Sequence, residues 1–546
     1  MPLTGKNTAK VSSIHQRRLI PVIIHGNLVY FKSGIIMENE LLNLVERLLD
    51  CGEQMALFEP RDRIYLRNQY CDLFDLTPLN SYSISSRNDE ITPAECASLI
   101  LAKLEERIKN RIGETEEQQI CKIINIMLPP PSSVENKFNQ IKSTDGIINA
   151  LEWYYNFSCN SDYIKVAAVK RNKSWTSESK YGNLEITINL SKPEKDPKEI
   201  AKLKSQPKSD SAYPQCLLCI ENEGFAGTSS KPARHNHRIL ELDLNQQKWY
   251  FQFSPYAYYP EHSIIINKNH KPMLIDQNTI NSLFDFVDQV PHYLIGSNSD
   301  IPIVGGSILN HDHFQAGNYV FPIEKSGVRF SRKIDNVEIE YLNWPVSTLR
   351  LNGKRSNLQI LTAKIIKHWY HFSMPELGII AFSETGVRHN AITPVLRKID
   401  NDNYQLYLML RNNRTNSSHP DGIFHPHENL HHIKKENIGL IEAMGLAILP
   451  GRLDYELEEM SRFLEMNDKN LASIELLYDD KMLKHENWLT ELYAKYNNFA
   501  NQNLSQILKN EVGDKFCLVL EDAGVFKQTI AGDQGINDFL DELLAL

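Results

Sequence analysis

Within the segment VGGSILNHDHFQAG, residues 304–317, His311, His313 and Gln315 recur at a spacing of two. On a strand that spacing sends all three side chains to one face and Asp312 and Phe314 to the other. Three polar groups on one face make a poor core strand, and the neighbouring pair Gly305-Gly306 allows a ligand close to the backbone. A neutral imidazole at His313 is a competent nucleophile toward phosphorus, and the phosphoramidate it forms is labile enough for a second acceptor to displace it. Transfer of this kind depends mainly on positioning and charge neutralisation. Gln315 offers an amide NH₂ to a non-bridging oxygen. Lys192 and Lys195, directly after an expected strand, offer cations. The plainer alternatives are a strand whose histidines merely face solvent and a lysine-rich loop that is only solvated.

A second constellation is PQCLLC, where Cys216 and Cys219 have the spacing of one edge of a tetrahedral zinc site. Two further ligands are needed, and His270 and His311 are candidates from distant positions. Two reduced, buried cysteines would satisfy the same spacing. A third is GIFHPHENLHH, which repeats the His-x-His pattern at His425 and His427 and is followed by Glu428, His431 and His432. A metal site and a polar loop fit it equally well.

The elements that must position these groups read as follows. Leu41, Leu42, Leu44, Val45, Leu48 and Leu49 recur at helical spacing. TPAE places Thr92 as a helix N-cap with Glu95 reaching back, and that helix is expected to carry Leu99, Ile100, Leu104 and Ile108 on one side. Pro129-Pro130-Pro131 then breaks the pattern before another helix. After Trp175 the texture changes. GNLEITINL alternates as a half-buried strand, and residues 215–330 read as short strands with a helix, NTINSLFDFVDQV, between two of them. Residues 355–450 repeat this texture with a helix near LTAKIIKHWYHF and a strand YQLYLMLR, and amphipathic helices follow. The expectation is an α+β fold: two similar halves forming an antiparallel-sheet core between helical ends. The expected divisions are 1–165 (helical), 166–345 (first half, with NHDHFQ and CxxC), 346–455 (second half, with HPH) and 456–546 (helical).

The 546 residues are 42% hydrophobic and 23% charged, ordinary for a globular protein, and the formal net charge of −9 comes without a basic stripe. That argues against nucleic-acid binding. No apolar run reaches the ~20 residues of a membrane span. Arg17 and Arg18 before Leu19–Ile24 imitate a signal peptide, but the run is short and no small-residue cleavage site follows. Eight cysteines in a chain this long are no disulfide framework. The expected location is cytoplasmic.

YGNLEITINLSKPEKDP, YPQCLLCIENEGFAG, ARHNHRI, FQFSPYAYYPEH and PIVGGSILNHDHFQAG together resemble the second (Firmicutes-type) family of galactose-1-phosphate uridylyltransferases. TGVRHNAITP, LRNNRT, GIFHPHENLHHIKKENIGLIEAMGLAILPGRL and EPRDRIYLRNQ extend the resemblance over nearly the whole chain. It implies the histidine-triad superfamily fold, a homodimer and no organic cofactor. The implied reaction is exchange of UDP-glucose and galactose 1-phosphate for UDP-galactose and glucose 1-phosphate. NHDHFQ is similar to the HPHxQ motif of the first family, which implies His313 as nucleophile, His311 as zinc ligand and Gln315 as its partner. By the same resemblance Cys216, Cys219 and His270 are the other zinc ligands, and Lys192 and Lys195 stand for two phosphate-binding arginines. Ser254, Pro255 and Tyr256 fall in a nucleoside-contacting segment, Gly305, Gly306, Ser307 and Asn310 in the substrate loop, and Glu442 at a sugar-contacting glutamate. A second divalent metal would use His425 and His427, with His389 and Glu324 completing the set. GGSILNH has one residue more between its serine and first histidine than the first-family motif, which bears on Ser307. The competing readings are a histidine-triad enzyme of dinucleoside polyphosphates and a non-catalytic zinc-binding scaffold. Histidine-triad hydrolases carry a third histidine where this chain has Gln315.

Overall fold

Thr92 opens a helix as its sequence requires: its hydroxyl accepts from the Glu95 amide at 3.2 Å, and Glu95 Oε2 accepts from the Thr92 amide at 2.8 Å. In the computed structural model, which describes residues 19–24, 27–78, 91–191, 213–228, 231–306, 308–496 and 498–545, that helix spans Pro93–Lys103. It stops sooner than its periodicity suggests. Leu104 is extended and a new helix covers Glu106–Ile112, so Leu104 and Ile108 are both buried while Leu99 faces outward.

These helices belong to the first of two compact units, formed by residues up to Pro129 with Asn160–Asp162 and Phe225–Asn236. A hairpin of β1 (Leu19–Ile24) and β2 (Asn27–Lys32) precedes the helix Ser33–Gln54, where sequence alone suggested only helix. Leu41, Leu42, Val45, Leu48 and Leu49 are buried, as their spacing predicts. The helices Pro131–Asp145 and Ile147–Asn160 group, but for Asn160, with the second unit rather than with the amino-terminal region.

The second unit is built on a ten-stranded antiparallel sheet. Its first half comprises β5 (Leu240–Leu244), β6 (Gln247–Phe253), β7 (Ser263–Asn267), β8 (Leu294–Gly296) and β9 (His313–Gly317). The second comprises β10 (Val328–Ile334), β11 (Val337–Leu342), β12 (Thr348–Lys354), β13 (Asn390–Lys398) and β14 (Asn403–Asn412). In each half a helix follows the third strand, Gln277–Gln289 in one and Arg355–Trp369 in the other. The order β10-β11-β12-β14-β13-β8-β9-β7-β6-β5 runs 1-2-3-5-4 through one half and 4-5-3-2-1 through the other. The halves are therefore topological copies, joined edge to edge by β8 and β13. The division expected at 345/346 falls between β11 and β12 of one such copy.

The two faces of this sheet differ. Phe251, Ile265 and Phe314 lie in register on one, where Phe286 of the first helix stacks on Phe251 at 6.5 Å. Gln252, Ile264 and Gln315 lie in register on the other. On that second face Val395, Tyr407 and Met409 join a large core. The core includes Leu184, Ile186 and Ile188 of a small sheet made by β3 (Lys173–Ser179), β4 (Gly182–Asn189) and β15 (Leu446–Pro450). Carboxy-terminal helices complete it with Phe463, Trp488 and Phe516. No helix among the described residues is long and apolar enough to cross a membrane.

Candidate active site

β9 starts at His313, so the two-residue alternation puts His313 and Gln315 on the same face, and His311 sits just before the strand. His311 Nε2 donates to the Asn267 carbonyl at 2.8 Å. That bond fixes the tautomer and leaves Nδ1 as a lone pair, a common arrangement behind metal-binding imidazoles. Nδ1 lies 3.3 Å from Cys216 Sγ and 3.6 Å from Cys219 Sγ, while His270 Nδ1 lies 3.1 Å from Cys219 Sγ. The two sulfurs are 3.5 Å apart, and all four ligand atoms fall within 4.8 Å of one another. A zinc ion with Zn–S near 2.3 Å and Zn–N near 2.0 Å would need edges of roughly 3.3–3.8 Å, so the donor set fits. Asn222 pins the cysteine turn by donating to the Cys216 and Cys219 carbonyls, both at 2.8 Å. Burial pushes the Cys219 thiol up to about 11, so it becomes a thiolate near neutral pH only beside a cation.

His313 is buried and its Nδ1 donates to the His311 carbonyl at 2.8 Å. A ring nitrogen facing a carbonyl must carry the proton, so Nε2 is the free lone pair. Burial lowers the pKa to about 4, which keeps the ring neutral. Gln315 lies opposite Ile264 of β7 and Gly296 of β8. A side chain at Gly296 would strike Leu440 Cδ1 at 2.6 Å, and Leu440 opens the short helix that carries Glu442. Asn298 ties the same helix down by accepting from the Leu440 amide at 2.8 Å. Gly305 and Gly306 press on this segment too, since their β-carbons would meet Ser299 O at 2.3 Å and Asn298 Nδ2 at 2.8 Å. The glycines are thus required by their own chain's packing, not only by a ligand.

Ser254 directly follows β6, and its amide donates to the His262 carbonyl at 2.7 Å. After Pro255, Tyr256 stacks on Tyr258 at 6.1 Å, and the Tyr258 hydroxyl, raised first by burial, is raised further by the charges of Tyr256 and Glu442. Ser254 and Pro255 thus lie beside the His262–Ser263 start of β7, whereas Asn298 follows β8, whose Gly296 pairs with Gln315. Asn310 is exposed just ahead of His311. Lys192, Lys195 and Ser307 lie outside the described residues.

The second metal set does not assemble. His425 Nε2 is engaged with Asn437 Oδ1 at 3.3 Å, His427 Nδ1 with Asp522 at 3.3 Å, and His389 with Asn413 at 2.8 Å. Glu324 is held by Arg397 at 2.6 Å. Among the described residues the cysteine–histidine group is the one cluster with metal-binding spacing. The His-x-His segment is a loop in which His425 and His427 contact different side chains, Asn437 and Asp522.

Comparison with known proteins places this arrangement. The description "Galactose-1-phosphate uridyl transferase, N-terminal domain" matches residues 56–272, and the corresponding C-terminal domain matches residues 286–477. The galactose-1-phosphate uridylyltransferase of Caldanaerobacter subterraneus subsp. tengcongensis is 43% identical, over 91% of this chain and 97% of that protein. Those of Clostridium perfringens (strain 13) and Bacillus subtilis are 42% and 40% identical, each over 92% of this chain and 98% of theirs. The chain belongs to the galactose-1-phosphate uridylyltransferase family. Among solved structures, yeast Ap4A phosphorylase Apa2 is 11% identical over 60% of this chain and 89% of its own, with a TM-score of 0.30, a likeness too slight to carry an argument.

In this galactose-1-phosphate uridylyltransferase family chain, several site residues escape a sequence reading. Asn298 stands in the unremarkable run GSNS. Lys434 is buried and donates to Glu442 at 3.2 Å and to the Ile448 carbonyl at 3.0 Å. Arg411 is 1% exposed, donates to the Ile438 carbonyl at 2.9 Å, and is lowered to about 10 by burial against the opposing charge of Glu442. A charge at a buried phase of the apolar run YQLYLMLR was the available signal for Arg411.

Proposed function

We propose that the chain passes a uridylyl group from UDP-glucose to galactose 1-phosphate through a covalent intermediate on His313. His313 Nε2 attacks the α-phosphorus, the bond to the bridging oxygen breaks, and glucose 1-phosphate leaves. Galactose 1-phosphate then attacks the same phosphorus, the N–P bond breaks, and UDP-galactose leaves with the imidazole neutral again. Glucose 1-phosphate leaves as a stable anion and the imidazole leaves neutral, with its Nδ1 proton already in place, so neither half requires a further proton from the protein. The observation that carries this reading is the locked tautomer of His313, whose Nδ1–H is spent on the His311 carbonyl at 2.8 Å. Gln315 in place of a protonatable group supports exchange over hydrolysis, since an amide holds a phosphoryl oxygen but protonates nothing. Lys192 and Lys195 are the proposed cations for the phosphates.

Cys216, Cys219, His270 and His311 would hold zinc, which in such a site supplies folding energy and fixes the backbone ahead of His313. Two identical subunits and a cytoplasmic location complete the proposal.

Incubation with UDP-glucose alone should release glucose 1-phosphate and add one uridylyl mass to the peptide containing His313. His313→Ala should abolish both the adduct and the exchange while the thermal midpoint holds. Exchange through a ternary complex, with intersecting initial-rate lines and no adduct, would falsify the covalent route.

A further inference from the structure

Gln315 serves this reaction only if its amide is the right way round. With Nε2 facing the uridylyl oxygens, Oε1 is turned into the protein, where an acceptor left without a donor is costly. Oε1 is indeed buried and makes no formed hydrogen bond. The strand register shows what stands beside it. Ile264 is opposite Gln315 and Ser263 is opposite Ala316, so His262 shares the Gln315 face and lies diagonal to it, abreast of Gly317. Diagonal neighbours on a sheet are within reach of long side chains.

His262 is 3% exposed, and neither of its ring nitrogens has a formed partner. Its ring is boxed in by Tyr259 at 4.5 Å and Tyr258 at 5.4 Å. A side chain at Gly317 would meet Tyr259 Cε2 at 2.6 Å, so the glycine is what admits that ring. Burial lowers the His262 pKa to about 3, and the Gln315 amide is the contact that pulls it upward. The imidazole is thus neutral, with one N–H to give. A buried donor and a buried acceptor, neither with a formed hydrogen bond, are thus neighbours on one face of the sheet.

We propose that His262 is the positioning residue for Gln315: its ring N–H donates to Oε1 and thereby directs Nε2 to the uridylyl oxygens. This rests on the uridylyl-transfer reading given above. An apolar residue would pack as well between the two tyrosines but would leave the amide free to flip. His262 touches no reacting atom, so its effect passes entirely through Gln315.

The test is a double-mutant cycle on the single-turnover rate at which UDP-glucose uridylylates the enzyme, with zinc content and thermal midpoint measured alongside. His262→Phe should slow uridylylation about ten-fold, the equivalent of one net hydrogen bond. In a Gln315→Ala background the same change should cost nothing further, and His262→Asn, which keeps a donor, should recover most of the rate. An equal loss in both backgrounds, or His262→Asn no faster than His262→Phe, overturns the assignment. Should His262→Phe fail to fold, NMR of isotope-labelled histidine decides: Gln315→Ala should move the His262 imidazole N–H resonance, and an unmoved resonance rejects the pairing. Wild-type enzyme that forms no adduct at all would bring down the uridylyl-transfer reading itself, a result separable from any pattern within the cycle.

Discussion

Gly306 has space for nothing beyond hydrogen, because a β-carbon there would lie 2.8 Å from Asn298 Nδ2 and 3.1 Å from its Cγ. Asn298 cannot yield freely, since its Oδ1 holds the Leu440 amide and with it the helix that carries Glu442. Gly306→Ala should therefore destabilise by about 1–3 kcal/mol, as overpacking does, and cut exchange more than stability. Gly353→Ala is the contrasting case. It sits in β12, its β-carbon would be 3.5 Å from the nearest atom, and alanine there should be neutral or mildly stabilising. Thermal midpoints and exchange rates of the two variants check this, and equal behaviour would remove the packing argument. At this scale the sequence was informative where a residue's chemistry is rare in its setting. Two cysteines three apart and His-x-His-x-Gln announced themselves. Asn298 and His262 did not, because an asparagine or histidine beside an apolar strand is unremarkable until the register shows what it faces.

The cysteine–histidine group joins three elements: the turn around Cys216 and Cys219, the end of β7, and the start of β9. Backbone bonds already link the last two, with Asn267 N donating to Asp312 O at 3.0 Å and Asp312 N to Lys271 O at 2.8 Å. Chelation or Cys219→Ala should therefore lower the thermal midpoint and zinc content together and slow adduct formation, while the helical signal persists. Full metal loss with unchanged stability would reject a structural zinc. A second element-scale tie is Glu456 in the helix Leu453–Glu465, which accepts from Arg452 at 2.6 Å and from His485 at 3.0 Å and also binds Lys484. Burial alone would raise its pKa, but the hydrogen bonds from His485 and Lys484 and the charge of Arg452 outweigh it and bring the carboxyl down to about 2. A carboxyl so depressed contributes stability above its unfolded value, and that contribution fades as pH falls toward 2. Glu456→Gln should thus cost stability at neutral pH, with the gap to wild type closing between about pH 4.5 and 2 in denaturant titrations. Sequence conveyed the Thr92 capping box because capping is local. It missed the β1–β2 hairpin, and it overran the helix end at Leu104, which is decided by which side chains the core admits.

Across the whole chain, the two five-stranded halves repeat one strand order, yet they differ where chemistry needs them to differ. Between β8 and β9 the first half inserts residues 297–312, which supply Asn298, Gly305, Gly306 and His311. Between β13 and β14 the second half has only residues 399–402. A hairpin that tight has no counterpart of the 297–312 insertion, and His425 and His427, which follow β14, are engaged with Asn437 and Asp522. That the halves are similar was readable from repeated texture. That β8 pairs with β13 was not, because nothing local encodes which edge strands meet across about a hundred residues. One reactive site per chain follows from the asymmetry of these connections. Uridylylation by UDP-glucose alone should saturate at one group per chain, all of it on His313. His425→Ala combined with His427→Ala should leave that stoichiometry unchanged, whatever it does to stability. Two groups per chain, or label on a peptide from the second half, would mean that the copy retains a nucleophile and that the length of its β13–β14 connection does not decide the matter.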